Sequence, residues 1–480
     1  MKLNKCQIIY KIPNILFLII LLLVLCTVFI VNSDYVYSMI AGKYFWFYGS
    51  VTLLSVIAIP AFVIKRRKRL RFEIPDLLIL LFCIAAVLIT FSCTNRLTNK
   101  CMLLGFSTAV YFYLRIFFSG QNKLIYSLCG MAFVTVGLVE AVWGLMQVYG
   151  LTVSQHNLYK ITGSFFNPGP YSGWLATVFP MALGYAVFNR KEHKVTQSLF
   201  GRISKTGTKI IGLLTVLCTL LVLPAAMSRA SWLAALGGSI FIAVMYGLQN
   251  KAVIDRLKKY RKRLVLLSIA VSVLFAVAMT GLFLLKKDSA SGRAFTWKIA
   301  LQTVKEHPFG VGLGNFGGSY GDAQAAYFAS GAGTEREEYV AGGVEYAFNE
   351  YLQICIETGI VPFLIFLAFV FRVLYSGIRN RNYLPAGSLA ALLIFASMSY
   401  PFNVLPFVIT FVFLSVLCMA DGNDSEIPDR KRLYPKFVIW AFLIIAPVSI
   451  ALCTDKICSL QAAHKKWSRT RALYVMNMYR

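Results

Sequence analysis

The sequence predicts an all-α protein that crosses a membrane about thirteen times, and three observations carry that expectation. Apolar runs near 18 or more residues recur along the chain, and only a helix satisfies its own backbone groups inside hydrocarbon. Of the 480 residues, 58% are hydrophobic and 14% charged, whereas a soluble domain carries about a quarter charged residues. An aqueous fold has no interior large enough to hide so much apolar surface. The third observation is the placement of charge: 48 Lys+Arg against 20 Asp+Glu give a net +28, but the basic residues sit in short runs between apolar stretches. A nucleic-acid binder displays its charge on a solvated domain. Here the charge reports topology, and the expected partner is the lipid bilayer, with no nucleic acid.

The expected spans fall at 13–31, 44–64, 74–91, 101–118, 123–148, 170–188, 208–226, 231–248, 263–285, 354–376, 384–400, 404–420 and 436–453. The first follows Lys2, Lys5 and Lys11; it is long for a signal-peptide core and lacks a small-x-small cleavage site, so it reads as an uncleaved helix. Lys65–Arg69 with Arg71, the group from Arg190 to Lys209, the run from Lys251 to Arg263, then Arg379, Arg381 and Arg430–Arg432 all follow even-numbered spans. Positive segments resist translocation, so these loops face the cytoplasm and segment 286–349 lies outside, away from ATP. Lys465, Lys466, Arg469 and Arg471 in the tail are the exception and fall outside as well. The chain thus divides into 1–285 with nine spans, an outer loop at 286–349, four spans over 350–453, and a polar tail at 454–480. The eleven cysteines form no Cys-x-x-Cys pair; Cys93 and Cys101 bracket one outer loop, a spacing open to a disulfide in an oxidising compartment.

Structureless loops beyond about 15 residues usually serve a function, which makes 286–349 the functional candidate. Residues 291–304 put Trp297, Ala300, Leu301 and Val304 on one helical face and Arg293, Thr296 and Gln302 on the other, the pattern of a helix lying on the membrane with its tryptophan at the interface. His307–Gly318 follows, rich in glycine; no strand precedes it and no Gly-Lys-Ser/Thr follows, which excludes a Rossmann or P-loop site. Arg229 lies in the short outer connection Met227-Ser228-Arg229-Ala230. A lone arginine there is ordinarily an anchor whose head reaches the interface. Yet it opposes the charge bias, and a buried arginine costs at least ~2.5–3.5 kcal/mol unless paired, so an anion is its expected partner. Arg293 could share that anion, since guanidinium groups make bidentate bonds to phosphate oxygens. Asn349 and Glu350 suit the first turn of a helix as cap and dipole partner. No Asp-x-Asp pair or zinc-type spacing is present, so neither metal nor cofactor is expected.

Several of these stretches together resemble a known family. They are Thr162–Pro168, Ser228-Arg229-Ala230-Ser231-Trp232, Gly292-Arg293 with Trp297, His307–Gly314, Asn349–Gln353, Glu357–Ile360 and Ser399–Phe402. In this order they resemble the O-antigen ligase and polymerase-related family of multi-spanning bacterial glycosyltransferases. The resemblance implies a metal-independent, inverting transfer of a glycan from undecaprenyl diphosphate to an acceptor, on the periplasmic side of the inner membrane. The acceptor would be lipid A core, a protein or another glycan, the last making the enzyme a polymerase. Arg229 and Arg293 match the family's diphosphate-holding arginines, with Ser228 beside them, and Lys160 and His307 are possible additions. Where the family has a His before Asn, this chain has Phe348 before Asn349. Phenylalanine cannot take a proton, and a general base is typically worth ~10²–10⁴ in rate. Glu345 is the favoured replacement, with Glu338, Glu350 and His307 as alternatives. A glycolipid transporter is the non-enzymatic reading; it expects charges at the bilayer midplane, of which Glu140 is the main instance.

Overall fold

The computed structural model describes residues 5–31, 38–65, 72–118, 121, 123–188, 199–249, 255, 287–420 and 436–478. All its regular elements are helical. Helix α1 (Lys5–Leu25) runs into a 3-10 turn, Cys26–Phe29, and is followed by α2 (Ser38–Lys65), α3 (Ile74–Thr94), α4 (Asn99–Phe118) and α5 (Lys123–Val148). Next come α6 (Pro168–Val187), α7 (Leu199–Ala226) and α8 (Arg229–Gly247). Helices α9 (Lys287–Glu306), α10 (Phe316–Ala329), α11 (Glu335–Val340) and α12 (Glu350–Thr358) form the outer segment. The chain continues through α13 (Ile360–Arg379), α14 (Tyr383–Ala396), α15 (Leu405–Met419) and α16 (Lys436–Met478). Among the described residues, seven helices are long and apolar enough to cross a membrane, while Ile15–Phe29, α14 and α15 are shorter apolar helices. The protein is therefore an all-α polytopic membrane protein. The expected span 263–285 and most of the basic runs at 65–71, 190–194, 251–263 and 430–432 lie outside the described residues.

Helix α6 occupies the middle of the bundle. Asn167 caps it by accepting from the Gly169 N–H at 2.8 Å, and Trp174, Leu175, Ala176 and Val178 are buried. In lipid, close helix contact depends on small residues and packing. A Cβ on Gly212 of α7 would lie 2.7 Å from the Ala182 carbonyl, and one on Gly238 of α8 would lie 2.6 Å from the Gly387 carbonyl of α14. The helix ends collect on two faces. On one, Arg115 makes a two-pronged pair with buried Asp76 at 3.0 and 3.1 Å, joined by the Tyr111 hydroxyl at 2.8 Å. On the other lie the 149–167 loop, the α7–α8 reversal, the outer segment and the α14–α15 connection. Lys456 donates to Asn99 at 3.1 Å, which brings α16 and its polar continuation to this second face. Cys93 and Cys101 are free thiols: the first approaches the Gly310 carbonyl at 3.7 Å, and the second is buried under Leu313.

The outer segment differs from the expected surface helix. Phe295, Ile299 and Ala300 of α9 build a small core with Phe316, Tyr320, Ala323, Ala347 and Ile356. Thr296 and Thr303 are buried, while Leu301 is exposed. The tertiary partner α10 supplies a cover on the face that a lone helix would have turned to solvent, so the buried stripe rotates by about one position. Trp297, expected at the membrane interface, instead donates to the Ala347 carbonyl at 3.0 Å.

The span expected at 354–376 breaks into α12 and α13 at Gly359, whose φ of 81° suits glycine. The glycine run of 307–318 is the reason. Val311 and Gly312 donate to the carbonyls of Ile356 and Glu357 at 3.0 and 2.9 Å, and Ile360 donates to the Pro308 carbonyl at 3.0 Å. The non-helical stretch around Val311 therefore takes up the last carbonyls of α12 in place of a further helical turn. Leu313 then donates to Thr90 at 2.9 Å, and Thr98 donates back to the Leu313 carbonyl at 2.9 Å, which ties the segment to α3 and α4. A Cβ at Gly359 would lie 2.5 Å from the Phe309 carbonyl carbon. Gly359→Ala is expected to lower stability by about 2 kcal/mol or more, whereas Gly318→Ala, with nothing within 4 Å in α10, should be neutral or slightly stabilising. Thermal unfolding of the detergent-solubilised variants compares the two.

Candidate functional site

The α7–α8 reversal takes only Met227 and Ser228, with Met227 in the left-handed region at φ 49°. Ser231 donates to the Ser228 hydroxyl at 2.8 Å and meets Ser172 of α6 at 2.8 Å, so the turn is clamped to the central helix. Arg229 is then the first residue of α8, the end of a helix where the dipole disfavours a cation. Helix stability does not account for an arginine here.

Arg293, on α9, comes close to Arg229. Burial lowers the affinity of the Arg293 guanidinium for its proton, and the charge of Arg229 lowers it further. Its Nη1 donates to the Met398 carbonyl at 3.0 Å, and its guanidinium lies 5.2 Å from the centre of the Phe348 ring. Phe348 adopts φ 51°, an outlier for a bulky residue. The kink follows from what flanks it: Trp297 holds the Ala347 carbonyl, and the Asn349 side chain accepts from the N–H groups of Tyr351 and Leu352 at 3.1 and 3.3 Å to start α12.

Aromatic rings extend from this point. Phe348 meets Tyr400 edge-on at 5.3 Å, and Tyr400 stacks on Tyr346 at 4.5 Å with 10° between planes. The Tyr346 hydroxyl is held protonated, first by burial and then by the Glu345 carboxylate. Burial and Tyr346 do the same to Tyr400, Arg293 pulls the other way, and Tyr159 adds a further upward push. Tyr159 arrives because α5 grips its loop. Gln147 accepts from the N–H groups of Thr162 and Gly163 at 2.9 and 2.7 Å and donates to the Val153 and Gly163 carbonyls at 3.0 and 3.1 Å. About two turns deeper, Glu140 accepts from Ser164 N–H at 3.3 Å within reach of the Lys43 charge.

The structure thus brings Arg229, Arg293, Ser228 and Phe348 to one place on the second face, the one expected outside, with Glu345 exposed beyond Tyr346. Lys160 is exposed beside Tyr159. His307 is not part of this group: it ends α9, and fourteen residues of helix from Arg293 amount to roughly 20 Å. Glu350 points away from the arginines. One carboxyl oxygen accepts from Phe402 N–H at 2.7 Å and Asn403 Nδ2 at 3.2 Å, which fixes the turn that carries Tyr400. Sequence reasoning missed Tyr346, Tyr400 and Tyr159. Ser399-Tyr400-Pro401-Phe402 stood out as a motif, but nothing in its spacing assigns the tyrosine a partner. Chemically, the group offers two cations for one anion beside a half-buried aromatic wall.

Residues 214–367 match a family model described as O-Antigen ligase. That stretch holds both arginines, Phe348 and Glu345. No curated protein matches the chain.

Burial pushes the Glu350 carboxyl from 4.5 up to about 7, while the Lys100 ammonium pulls it down. The folded chain therefore keeps a proton that the unfolded chain releases at lower pH. This contribution is complete below the unfolded value and is lost as pH rises through about 7. Thermal unfolding followed between about pH 5 and pH 8 should show the midpoint falling with pH, and Glu350→Gln should flatten that slope.

Proposed function

We propose, from the premise that residues 214–367 form an O-antigen ligase-type domain, that the chain transfers a glycan from undecaprenyl diphosphate to an acceptor hydroxyl on the periplasmic side of the bacterial inner membrane. The observation that carries this reading is the pair of arginines in each other's field. Two half-buried like charges repel, and a diphosphate relieves the repulsion with bidentate, charge-assisted bonds to both. As the bond from the anomeric carbon to the phosphate oxygen breaks, its electron pair leaves with the diphosphate, and fixed cations in a low-dielectric site stabilise that growing charge. The acceptor oxygen attacks from the opposite side, which inverts the anomeric centre.

The proton released by that oxygen needs a base, and Phe348 cannot serve. Glu350 is closer along the chain but is buried and bonded to Phe402 and Asn403, so Glu345, exposed three residues before Phe348 and beside Tyr346, is assigned the role. A transporter is the weaker alternative, because Glu140, the midplane charge it would use, is taken up by Ser164 and Lys43.

In a purified donor and acceptor assay, Arg229→Ala and Arg293→Ala should each cost ~10²–10³ in kcat, and Glu345→Gln about 10² or more. Full turnover in the arginine variants would sink the assignment. Unchanged turnover in Glu345→Gln alone would remove only the base.

A further inference from the structure

Below the Tyr400 turn, and apart from the arginines, helices α3, α4, α13 and α15 enclose a cavity of about 110 Å³. Its walls are apolar, with Phe82, Leu103, Phe366 and Phe411 prominent. Its outer end is polar. Lys100 and Glu357 form an ion pair there at 2.7 Å with the carboxylate buried, and Glu350 lines the same end. The Glu350 oxygen Oε1 is satisfied by Phe402 and Asn403, but Oε2 is buried with no hydrogen-bond partner. Deeper in the wall, the hydroxyls of Ser107 and Ser415 are also buried without partners.

A buried polar atom left unsatisfied is costly, so several such atoms around one cavity point to an occupant. Size and shape restrict it. An engineered cavity of about 150 Å³ holds benzene, so this one takes about four or five heavy atoms by the same measure. Ser107 lies seven residues along α4 from Lys100, roughly 10 Å, too far for one water to serve both ends. The Lys100–Glu357 pair is neutral as a whole and Glu350, ionised above about pH 7, adds negative charge, so an anionic head is repelled while Lys100 already stands as the cation there. Above that pH, what remains open is an acceptor oxygen.

We propose that this chamber binds a neutral amphiphile, its hydroxyl head donating to Glu350 Oε2 and its short apolar chain lying among the phenylalanines. The chain passes the Ser107 and Ser415 hydroxyls, which suit an ether or ester oxygen of the ligand as donors. Such a molecule is either a free short-chain alcohol or the glycerol end of a neutral membrane lipid. The site is separate from the arginine pair, and the proposal does not depend on the transfer reaction.

A diazirine-bearing ethanol, about five heavy atoms and so within the chamber's capacity, tests it on the full chain in detergent at about pH 8.5, where the Glu350 carboxyl, raised to about 7, is ionised. Saturable labelling is expected on α4 and α15. One added hydrogen bond is worth about 0.5–1.5 kcal/mol, so 1-butanol should compete about two- to tenfold better than butane or 2-butanone. Glu350→Gln keeps an acceptor for Phe402 and presents an amide N–H to the chamber, so it should shift the preference toward 2-butanone. Ser415→Leu fills the chamber and should abolish labelling. A neutral hydroxyl lipid that co-purifies with the wild type and is missing from Ser415→Leu identifies a lipid as the source; competition without such a lipid identifies a free alcohol. Labelling unchanged by both substitutions, equal competition by alcohol, ketone and alkane, or no saturable labelling, which means a chamber holding water only, each overturns the proposal.

Discussion

Two guanidinium groups held close together and partly out of water repel each other, and the half of this molecule that carries them is built to keep them there. Arg229 is fixed by a two-residue reversal whose serines are bonded to α6. Arg293 is fixed by the Met398 carbonyl and the Phe348 ring. Neither arginine gains from its helix, since α8 presents the positive end of its dipole to Arg229. The cost must be met by packing elsewhere, and the supports identify where: the α9–α10 core, the α12 cap and the α5 grip on residues 162–164.

The break at Gly359 belongs to the same scheme. Had 350–379 run as one straight helix, its first turns would have continued along the α13 axis, and the Ile356 and Glu357 carbonyls would have stayed inside the helical ladder. With the ladder interrupted, those carbonyls accept from Val311 and Gly312. The glycine run is thereby bound to α12 and, through Thr90 and Thr98, to two spans. This gives a mechanical account of glycines that resemble a ligand-binding loop. They allow backbone to meet backbone, and Gly310 and Gly359 pass so close that a Cβ on either strikes the other strand.

The helical class and the faces on which the connections lie were legible because hydrocarbon imposes length and backbone satisfaction on any span. Arg229 stood out in the sequence because a cation in a connection expected outside opposes the charge bias, and the fold brings Arg293 beside it. The orientation of α9 was not legible. Thr296 read as part of a polar face with Arg293 and Gln302, but its hydroxyl, like that of Thr303, bonds to the carbonyl four residues before it, at 2.9 and 3.0 Å, which lets threonine enter a core. The aromatic wall was equally hidden, because Tyr346 and Tyr400 come from separate elements and only the fold stacks them.

Phe348 brings these threads together. Its backbone sits where L-residues pay for the left-handed turn, about 1–2 kcal/mol, and its ring returns contact with Arg293 and Tyr400. A guanidinium over an aromatic face gains roughly 0.5–2 kcal/mol, comparable to the strain, so the residue is close to neutral for folding while remaining decisive for geometry. A histidine at the same backbone position would place an imidazole under the same cation, where proximity to two arginines favours its neutral, proton-accepting form. The electrostatics here would suit a base, the role that the family resemblance gives this position, and phenylalanine fills it with a ring instead. On the proposed reading the proton then leaves by a neighbouring group, and Glu345 beside Tyr346 is the one assigned.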